Sequence, residues 1–211
     1  MHRTAASRRG VEARAHDRAK HHLLDPADPL FTVLGADADK RRQVDAFLRL
    51  LEPALDRLPD RTGPDGAVRP LRVVDLGCGN AYLTFAAHRW LTDRLGAGQV
   101  RTLGVDVRPD VVARSERLAG EARLDGLSFA VGTIADAEVT ERPDVVLALH
   151  ACDTATDEAL ARAVRWEAPV VLAAPCCHHD VQRRSPPDRA PPSPTARWPG
   201  TASCASASPT C

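Results

Sequence analysis

The chain has 211 residues, of which 44% are apolar and 27% charged, and its formal net charge at pH 7 is zero. This length suffices for one domain with a buried core, and the neutral balance gives no overall field that would favour nucleic acid or a membrane. No apolar run is long enough to cross a bilayer, and the N-terminus lacks the apolar segment of a signal peptide. The six cysteines lack the spacing of a small secreted disulfide framework, so we expect a reduced, cytoplasmic location.

Residues 1–39 are predicted to form a basic, mostly irregular arm, because they show little periodicity and their first half is rich in arginine. Such an arm could contact RNA phosphates or could simply be solvated. Residues 40–70 are predicted to form a helix and a turn-rich linker. The segment "KRRQVDAFLRLLEPALDRL" places apolar residues at three- and four-residue steps, which is typical of one face of an amphipathic helix. These residues are Val44, Phe47, Leu48, Leu51, Leu55 and Leu58.

Residues 71–182 alternate between short apolar runs and helical stretches. The predicted strands are "LRVVDL", "VRTLGVDV", "LSFAVG", "DVVLALH" and "PVVLAAP". Helices are predicted at about 80–94, 109–123 and 155–165, the second beginning at Pro109 or Asp110. Strands that alternate with helices pair in parallel, and continuous apolar strands are covered on both faces. The pattern therefore predicts an α/β fold, a Rossmann-like doubly wound parallel sheet with its ligand at the carboxyl ends of the strands.

A glycine-rich loop follows the first predicted strand and indicates the kind of ligand. A dinucleotide-binding loop needs a third glycine, but Tyr82 stands at that position and is too bulky for the helix–strand contact. No Gly-Lys-Ser/Thr sequence follows either, which argues against a phosphate-binding P-loop. A purely structural turn in another α/β protein remains an alternative.

The series Asp-x-Gly-x-Gly resembles motif I of the class I S-adenosylmethionine-dependent methyltransferases, with Ala81 at the family's usual third glycine. The resemblance implies that the loop holds the methionine portion of S-adenosylmethionine (SAM) and that the motif's acid orients its amino group. An acid ending the second strand would bind the ribose diol, and an apolar residue after the third would pack on adenine. The implied cofactor-binding residues are Asp75, Gly77, Gly79, Asn80, Asp106, Thr133 and Ile134.

The fourth and fifth predicted strands end in histidine and cysteine, which are also zinc ligands. Zinc is disfavoured because adjacent residues at a strand end point in opposite directions, so "CCHH" cannot readily close a tetrahedron, although His150 and Cys152 could join it. No metal is therefore predicted.

The segments "HACDTATDEAL" and "PCCHHD" instead resemble one branch of methyltransferase domains, which includes eukaryotic tRNA 2′-O-methyltransferases. The upstream Lys-x-x-Gln of the first helix is similar to that branch as well, whereas Asp153 replaces its glycine. The resemblance implies an RNA acceptor, such as tRNA, and a general base among His150, His178 and His179, oriented by Asp153 or Asp157. Alternatively, these histidines cap strands or bind substrate without proton transfer.

Residues 183–211 are rich in proline, serine and alanine and are predicted to be disordered. Class I methyltransferases usually have seven strands, whereas five are predicted here. One explanation is that the tail is a frameshifted translation of the missing strands; the alternative is a natural low-complexity tail. Three functions thus stay open: a SAM-dependent methyltransferase, a SAM-binding protein without turnover, and a zinc-stabilised interaction module.

Overall fold

Five strands in the described part of the chain form one parallel sheet. The computed structural model describes residues 22–149, 151 and 154–174. Its strands are β1 (Leu71–Leu76), β2 (Val100–Asp106), β3 (Leu127–Val131), β4 (Val145–Ala148) and β5 (Val170–Ala173). They pair in the order β3-β2-β1-β4-β5, and every neighbouring pair is parallel. The predicted α/β class, a doubly wound parallel sheet, is confirmed.

The described helices are α1 (Pro29–Val33), α2 (Ala38–Leu55), α3 (Tyr82–Leu95), α4 (Pro109–Glu121) and α5 (Thr154–Arg165). The four longer ones lie where the sequence periodicity predicts them. Helix α2 begins at a side-chain cap, because Asp37 accepts a hydrogen bond from the backbone amide of Lys40 at 2.8 Å. Helix α4 begins at Pro109, which lacks a backbone N–H. This costs nothing in the first turn, because the amides there have no acceptor within the helix.

The helices cover both faces of the sheet. On one face α2, α3 and α4 pack over β1 and β2, with Phe47, Phe85 and Trp90 among the buried side chains. On the other face Ala159 and Ala163 of α5 pack against the opposite side chains of the central strands. Each large apolar side chain buried in this way stabilises the fold by roughly 1.5–3 kcal/mol.

The chain changes direction in the middle of the sheet. After β3 at one edge it crosses back to β4, which lies beside β1 on the side away from β2. The connections that leave the carboxyl ends of β1 and β4 therefore run to opposite sides of the sheet. Open α/β sheets bind their ligands at such a point, and the glycine-rich loop lies there.

Part of the predicted N-terminal arm packs into the core. Leu24, Leu30, Phe31 and Leu34 are all at most 7% exposed and join the cluster that covers α2 and α3. Asp28 caps α1 through the amide of Leu30. Periodicity did not predict this packing, because the segment is too short and too irregular to show an apolar face. Residues 1–21 and the predicted tail, 183–211, lie outside the described residues.

A partly buried ion pair joins the linker to the amino end of β4. Asp144 accepts hydrogen bonds at 2.7 Å from each of two guanidinium nitrogens of Arg69, and a third from the amide of Arg72 at 2.9 Å. Burial raises the pKa of Asp144, but the Arg69 and Arg72 hydrogen bonds outweigh it and hold that pKa below its usual value. Both oxygens of this carboxylate therefore have hydrogen-bond partners, at the end of the sheet opposite the glycine-rich loop.

None of the helices in the described part of the chain has both the length and the apolar character that crossing a membrane requires.

Candidate functional site

The loop between β1 and α3 has a left-handed backbone at three positions. Gly77, Gly79 and Ala81 have φ values of 71°, 58° and 58°. The amides of Gly77 and Cys78 both donate to the carbonyl of Val105 at the end of β2, at 2.8 and 3.0 Å. These bonds fix the loop against the neighbouring strand. Ala81 adopts the conformation that glycine would favour, at a cost of about 1 kcal/mol, which explains why the related motif places glycine there.

Gly77 brings the loop against two other segments. A Cβ on Gly77 would lie 3.6 Å from the Cδ1 of Ile134 and 3.8 Å from the Cβ of Ala151, both ordinary contact distances. The positive φ, and not lack of space, is therefore what favours glycine at this position. Ile134 follows β3 and Ala151 follows β4, so three strand ends converge on the loop.

Asp75 is a buried carboxylate with an unsatisfied oxygen. It is 1% exposed, and its Oδ2 accepts a hydrogen bond from the hydroxyl of Thr84 at 2.5 Å. Its Oδ1 has no hydrogen-bond partner among the described residues. Burial raises the pKa of Asp75 to about 7; the Thr84 bond opposes this rise and the charge of Asp106 adds to it. An unpaired buried carboxylate is costly, so this oxygen calls for a cationic partner.

Asp106 ends β2 and accepts four hydrogen bonds. Its Oδ2 accepts from the amide of Gly79 at 2.9 Å and from Nη2 of Arg108 at 3.2 Å. Its Oδ1 accepts from the amide and Nε of Arg108 at 3.1 and 2.9 Å. Burial raises the pKa of Asp106, but these bonds outweigh it and lower the pKa below its usual value. A carboxylate offers about four acceptor positions, so all of them are taken.

The remaining predicted cofactor residues differ in their surroundings. Ile134 is 8% exposed and lies against the loop. Asn80 is exposed beside a cavity between the loop and α2. Thr133 is also exposed, but its hydroxyl bonds the carboxylate and the amide of Asp136, at 2.8 and 3.0 Å, and so stabilises its own turn. Cys78 is buried, and burial raises the pKa of its thiol, as expected for an inert packing residue.

Two residues of the site were missed by the sequence reasoning. Thr84 is a polar residue within the otherwise apolar stretch "LTFAA" of α3, and this position was the available signal for its bond to Asp75. Arg108 stands two residues after the acid that ends β2. Its pairing with that acid depends on a side-chain conformation that no sequence pattern encodes.

The predicted catalytic residues His150, Asp153, His178 and His179 lie outside the described residues, as do the thiols and imidazoles of the zinc alternative. Within the described ranges, 22–149, 151 and 154–174, no three histidine, cysteine or acidic side chains are grouped so that they could hold a metal ion. The chain neighbours of His150 are Leu149, directly after β4, and Ala151, beside Gly77.

The parallel order of the strands, a glycine-rich loop after β1 and an acid ending β2 together define a Rossmann-like α/β fold with its ligand site at the carboxyl ends of the strands. The family comparison agrees with this class. Residues 39–184 match the family model described as "Methyltransferase domain", and the chain belongs to this family. No curated protein matches the sequence.

Several solved structures are similar to part of the chain. Coclaurine N-methyltransferase bound to N-methylheliamine and SAH is 20% identical over 50% of this chain and 27% of its own, with a TM-score of 0.36. YjhP from E. coli is 20% identical over 63% and 50%, with a TM-score of 0.39. An rRNA methylase from Streptococcus thermophilus is 14% identical over 53% and 58%, with a TM-score of 0.39. The chain thus spans less than two thirds of each, and TM-scores this low add nothing to the family assignment.

Proposed function

We propose that this chain is a SAM-dependent methyltransferase that uses the loop after β1 and the ends of β2 and β3 to hold its cofactor. The observation that carries the proposal is the unpartnered Oδ1 of Asp75, which is fully buried at the start of a glycine-rich loop. An amino group that carries a positive charge would satisfy this oxygen, and SAM has such a group at its methionine end. A dinucleotide has no ammonium group that could donate a hydrogen bond to this oxygen.

Four groups of the chain would hold the cofactor. Asp75 would accept hydrogen bonds from its ammonium, and the backbone of Gly77 and Gly79 leaves room for its methionine portion. Asp106 would accept the ribose hydroxyls, and Ile134 offers an apolar surface for adenine. When bound, SAM supplies an electrophilic methyl group on a sulfonium.

Arg108 has to yield before the ribose binds in this way. The four acceptor positions of Asp106 are filled, and two of them are taken by the Arg108 guanidinium. The ribose diol can replace these two bonds while the backbone amides of Gly79 and Arg108 keep theirs. The Arg108 side chain is 54% exposed, so the displaced guanidinium is readily hydrated and the exchange costs little.

The role of the chain in the transfer itself is to place an acceptor and to remove its proton. We propose His150, His178 or His179 as the base and Asp153 as the residue that orients it. The position of Ala151 supports this for His150, because the segment after β4 reaches the loop at Gly77. The acceptor we propose is RNA, on the resemblance of "HACDTATDEAL" and "PCCHHD" to tRNA 2′-O-methyltransferase domains.

Calorimetric titration with S-adenosylhomocysteine (SAH) tests the cofactor site. We expect binding by the 211-residue protein, weakened about ten- to hundredfold in Asp106→Ala, since hydrogen bonds to a charged group are lost. Asp110→Ala, an exposed acid in the first turn of α4, serves as the matched control and should bind normally. A cooperatively folded protein that binds no SAH would refute the proposal.

Transfer of labelled methyl groups from SAM to bulk tRNA and to rRNA tests the acceptor. Labelled RNA whose label is lost in His150→Ala would support both the acceptor and the base. SAH binding without transfer to either RNA would refute the RNA acceptor and leave the cofactor site standing.

A further inference from the structure

The pair Lys40 and Gln43 is not explained by the packing of α2. The apolar stripe of this helix faces the core through Val44, Phe47 and Leu48, whereas Gln43 is exposed and Lys40 half-buried. The Lys40 ammonium lies 3.5 Å from the Gln43 side-chain oxygen and 5.4 Å from the centre of the Tyr82 ring. The Lys40 side chain therefore reaches from the start of α2 to Tyr82 at the start of α3, with Gln43 beside it.

A cavity of about 220 Å³ lies between these side chains and the glycine-rich loop. Its volume equals several water molecules and is large enough for a small oxyanion. It contains two cationic side chains, two amides and no acid. Its lining residues are Lys40, Gln43, Gly79, Asn80, Tyr82, Leu83 and Arg108.

The charge balance of the cavity is positive. In the ligand-free chain, Asp106 neutralises Arg108 through two hydrogen bonds of its guanidinium, and the ribose binding proposed above would release that guanidinium beside the cavity. Lys40, in contrast, forms no ion pair with an acid of the described residues. One uncompensated ammonium and a side-chain amide thus face a space large enough for an anion. A partly buried ammonium is stabilised by a partner of opposite charge, so this space favours an oxyanion.

The backbone at the same place also favours an anion. Helix α3 has 14 residues, and no side chain caps its first turn, because Ala81 stands at the N-cap position. The residues of that first turn, Tyr82 and Leu83, line the cavity. Uncapped amides and the helix dipole add a partial positive charge to that of Lys40.

We propose that Lys40 and Gln43 bind the α-carboxylate of the cofactor's methionine portion, and this inference rests on the proposed function. An α-amino acid carries its ammonium and its carboxylate on one carbon. A ligand whose ammonium meets Asp75 on the inner side of the loop has to place its carboxylate close by. The cavity between Gly79 and Lys40 is the positively charged space that adjoins the same loop. Together, the two subsites recognise both charges of the amino-acid end.

A pair of ligands separates this role from a structural one. SAH carries the amino-acid end, whereas 5′-methylthioadenosine has the same adenosine and thioether without it. We expect Lys40→Gln to weaken SAH binding about ten- to hundredfold and to leave 5′-methylthioadenosine binding unchanged. Gln43→Glu, which adds a like charge beside the carboxylate, should act in the same direction. Arg42→Gln is the matched control, because this exposed cation pairs with Asp39 on the same helix and lies outside the cavity.

Two outcomes would overturn the inference. Equal weakening of both ligands by Lys40→Gln would mean that Lys40 only supports the fold. Unchanged SAH binding would mean that the carboxylate lies elsewhere. In the second case, the binding of bulk tRNA would be measured in the presence of inorganic phosphate. If phosphate inhibited this binding less in Lys40→Gln than in the wild type, the cavity would be assigned to a phosphate of the acceptor. A folded wild-type protein that binds neither adenosine ligand would instead refute the proposed function itself, so the two failures are distinguishable.

Discussion

The ionisation of Asp75 should make cofactor binding depend on pH. Burial raises the pKa of this carboxyl to about 7, with the charge of Asp106 adding to the rise. A protonated carboxyl does not attract an ammonium, so SAH binding has to remove the proton first. Below pH 7 each pH unit then reduces the affinity about tenfold, and we expect the Kd at pH 5.5 to be about thirtyfold weaker than at pH 8.

Calorimetry measures both the affinity and the proton. Titrations at pH 5.5, 6.5 and 8, each in two buffers of different ionisation enthalpy, should show release of nearly one proton at the lowest pH and of almost none at the highest. Asp75→Asn is the control, because an amide does not titrate; its affinity should be weaker and the same at each pH. A wild-type affinity that does not change with pH, or an equal slope in the Asn variant, would contradict the assignment of the ammonium to Asp75.

The same group should shape the stability of the ligand-free protein. The usual aspartate pKa of 3.8 applies in the unfolded chain and a value of about 7 in the folded one. A carboxyl whose pKa is higher in the folded state stabilises the fold fully at pH values below its unfolded-state pKa. This contribution is lost as the pH rises through its folded-state pKa. We therefore expect the urea-unfolding free energy of the wild type to fall relative to that of Asp75→Asn between pH 4 and pH 8, by up to about 4 kcal/mol. A constant difference would contradict the raised pKa.

Three further substitutions test other parts of the structure. Arg108→Ala should tighten 5′-methylthioadenosine binding up to about fivefold, because it removes the guanidinium that competes with the ribose for the Asp106 carboxylate. Weaker binding would show that Arg108 contacts the ligand. Gly104→Ala should lower the free energy of unfolding by about 1–3 kcal/mol, since its Cβ would lie 2.5 Å from a ring carbon of Phe129. Gly120→Ala in α4 is the matched control: its Cβ meets nothing within 4 Å, and it should raise the free energy of unfolding by about 0.5 kcal/mol. Equal effects of the two substitutions in chemical denaturation would refute this reasoning. Asp144→Ala should cost about 2–3 kcal/mol by breaking the ion pair at the amino end of β4 without changing SAH affinity, and a loss of affinity in the folded variant would show that the two ends of the sheet are coupled.

The elements of the sheet could be predicted because their signals are local and repeated. Continuous apolar runs indicated all five strands, and β1 has the bounds of its run, Leu71–Leu76. The three-residue and four-residue spacing in "QVDAFLRLL" indicated α2. Strand direction then placed Asp75 and Asp106 at one edge, because parallel strands bring their carboxyl ends together.

The hydrogen-bond partners of individual polar atoms could not be predicted in the same way. The missing partner of Asp75 Oδ1 and the four bonds of Asp106 depend on side-chain conformations and on the path of the loop. The packing of Leu30 and Phe31 depends on contacts with residues far along the chain, which leave no periodic signal in a five-residue helix. The carry-over of cofactor residues from the resemblance stays a prediction, and Thr133 is the member whose hydroxyl already has local partners.

The contact between α2 and β5 has a consequence for synthesis on the ribosome. Helix α2 is complete at Leu55, but it packs partly on β5, which begins at Val170. At about 5–20 residues per second, the ribosome needs roughly 6–23 s to add the intervening chain. During that time the apolar stripe of α2 lacks one of its partners in the sheet. We therefore expect nascent chains that stop before β5 to hold this helix loosely and to recruit chaperones, while release of the finished strand closes the domain.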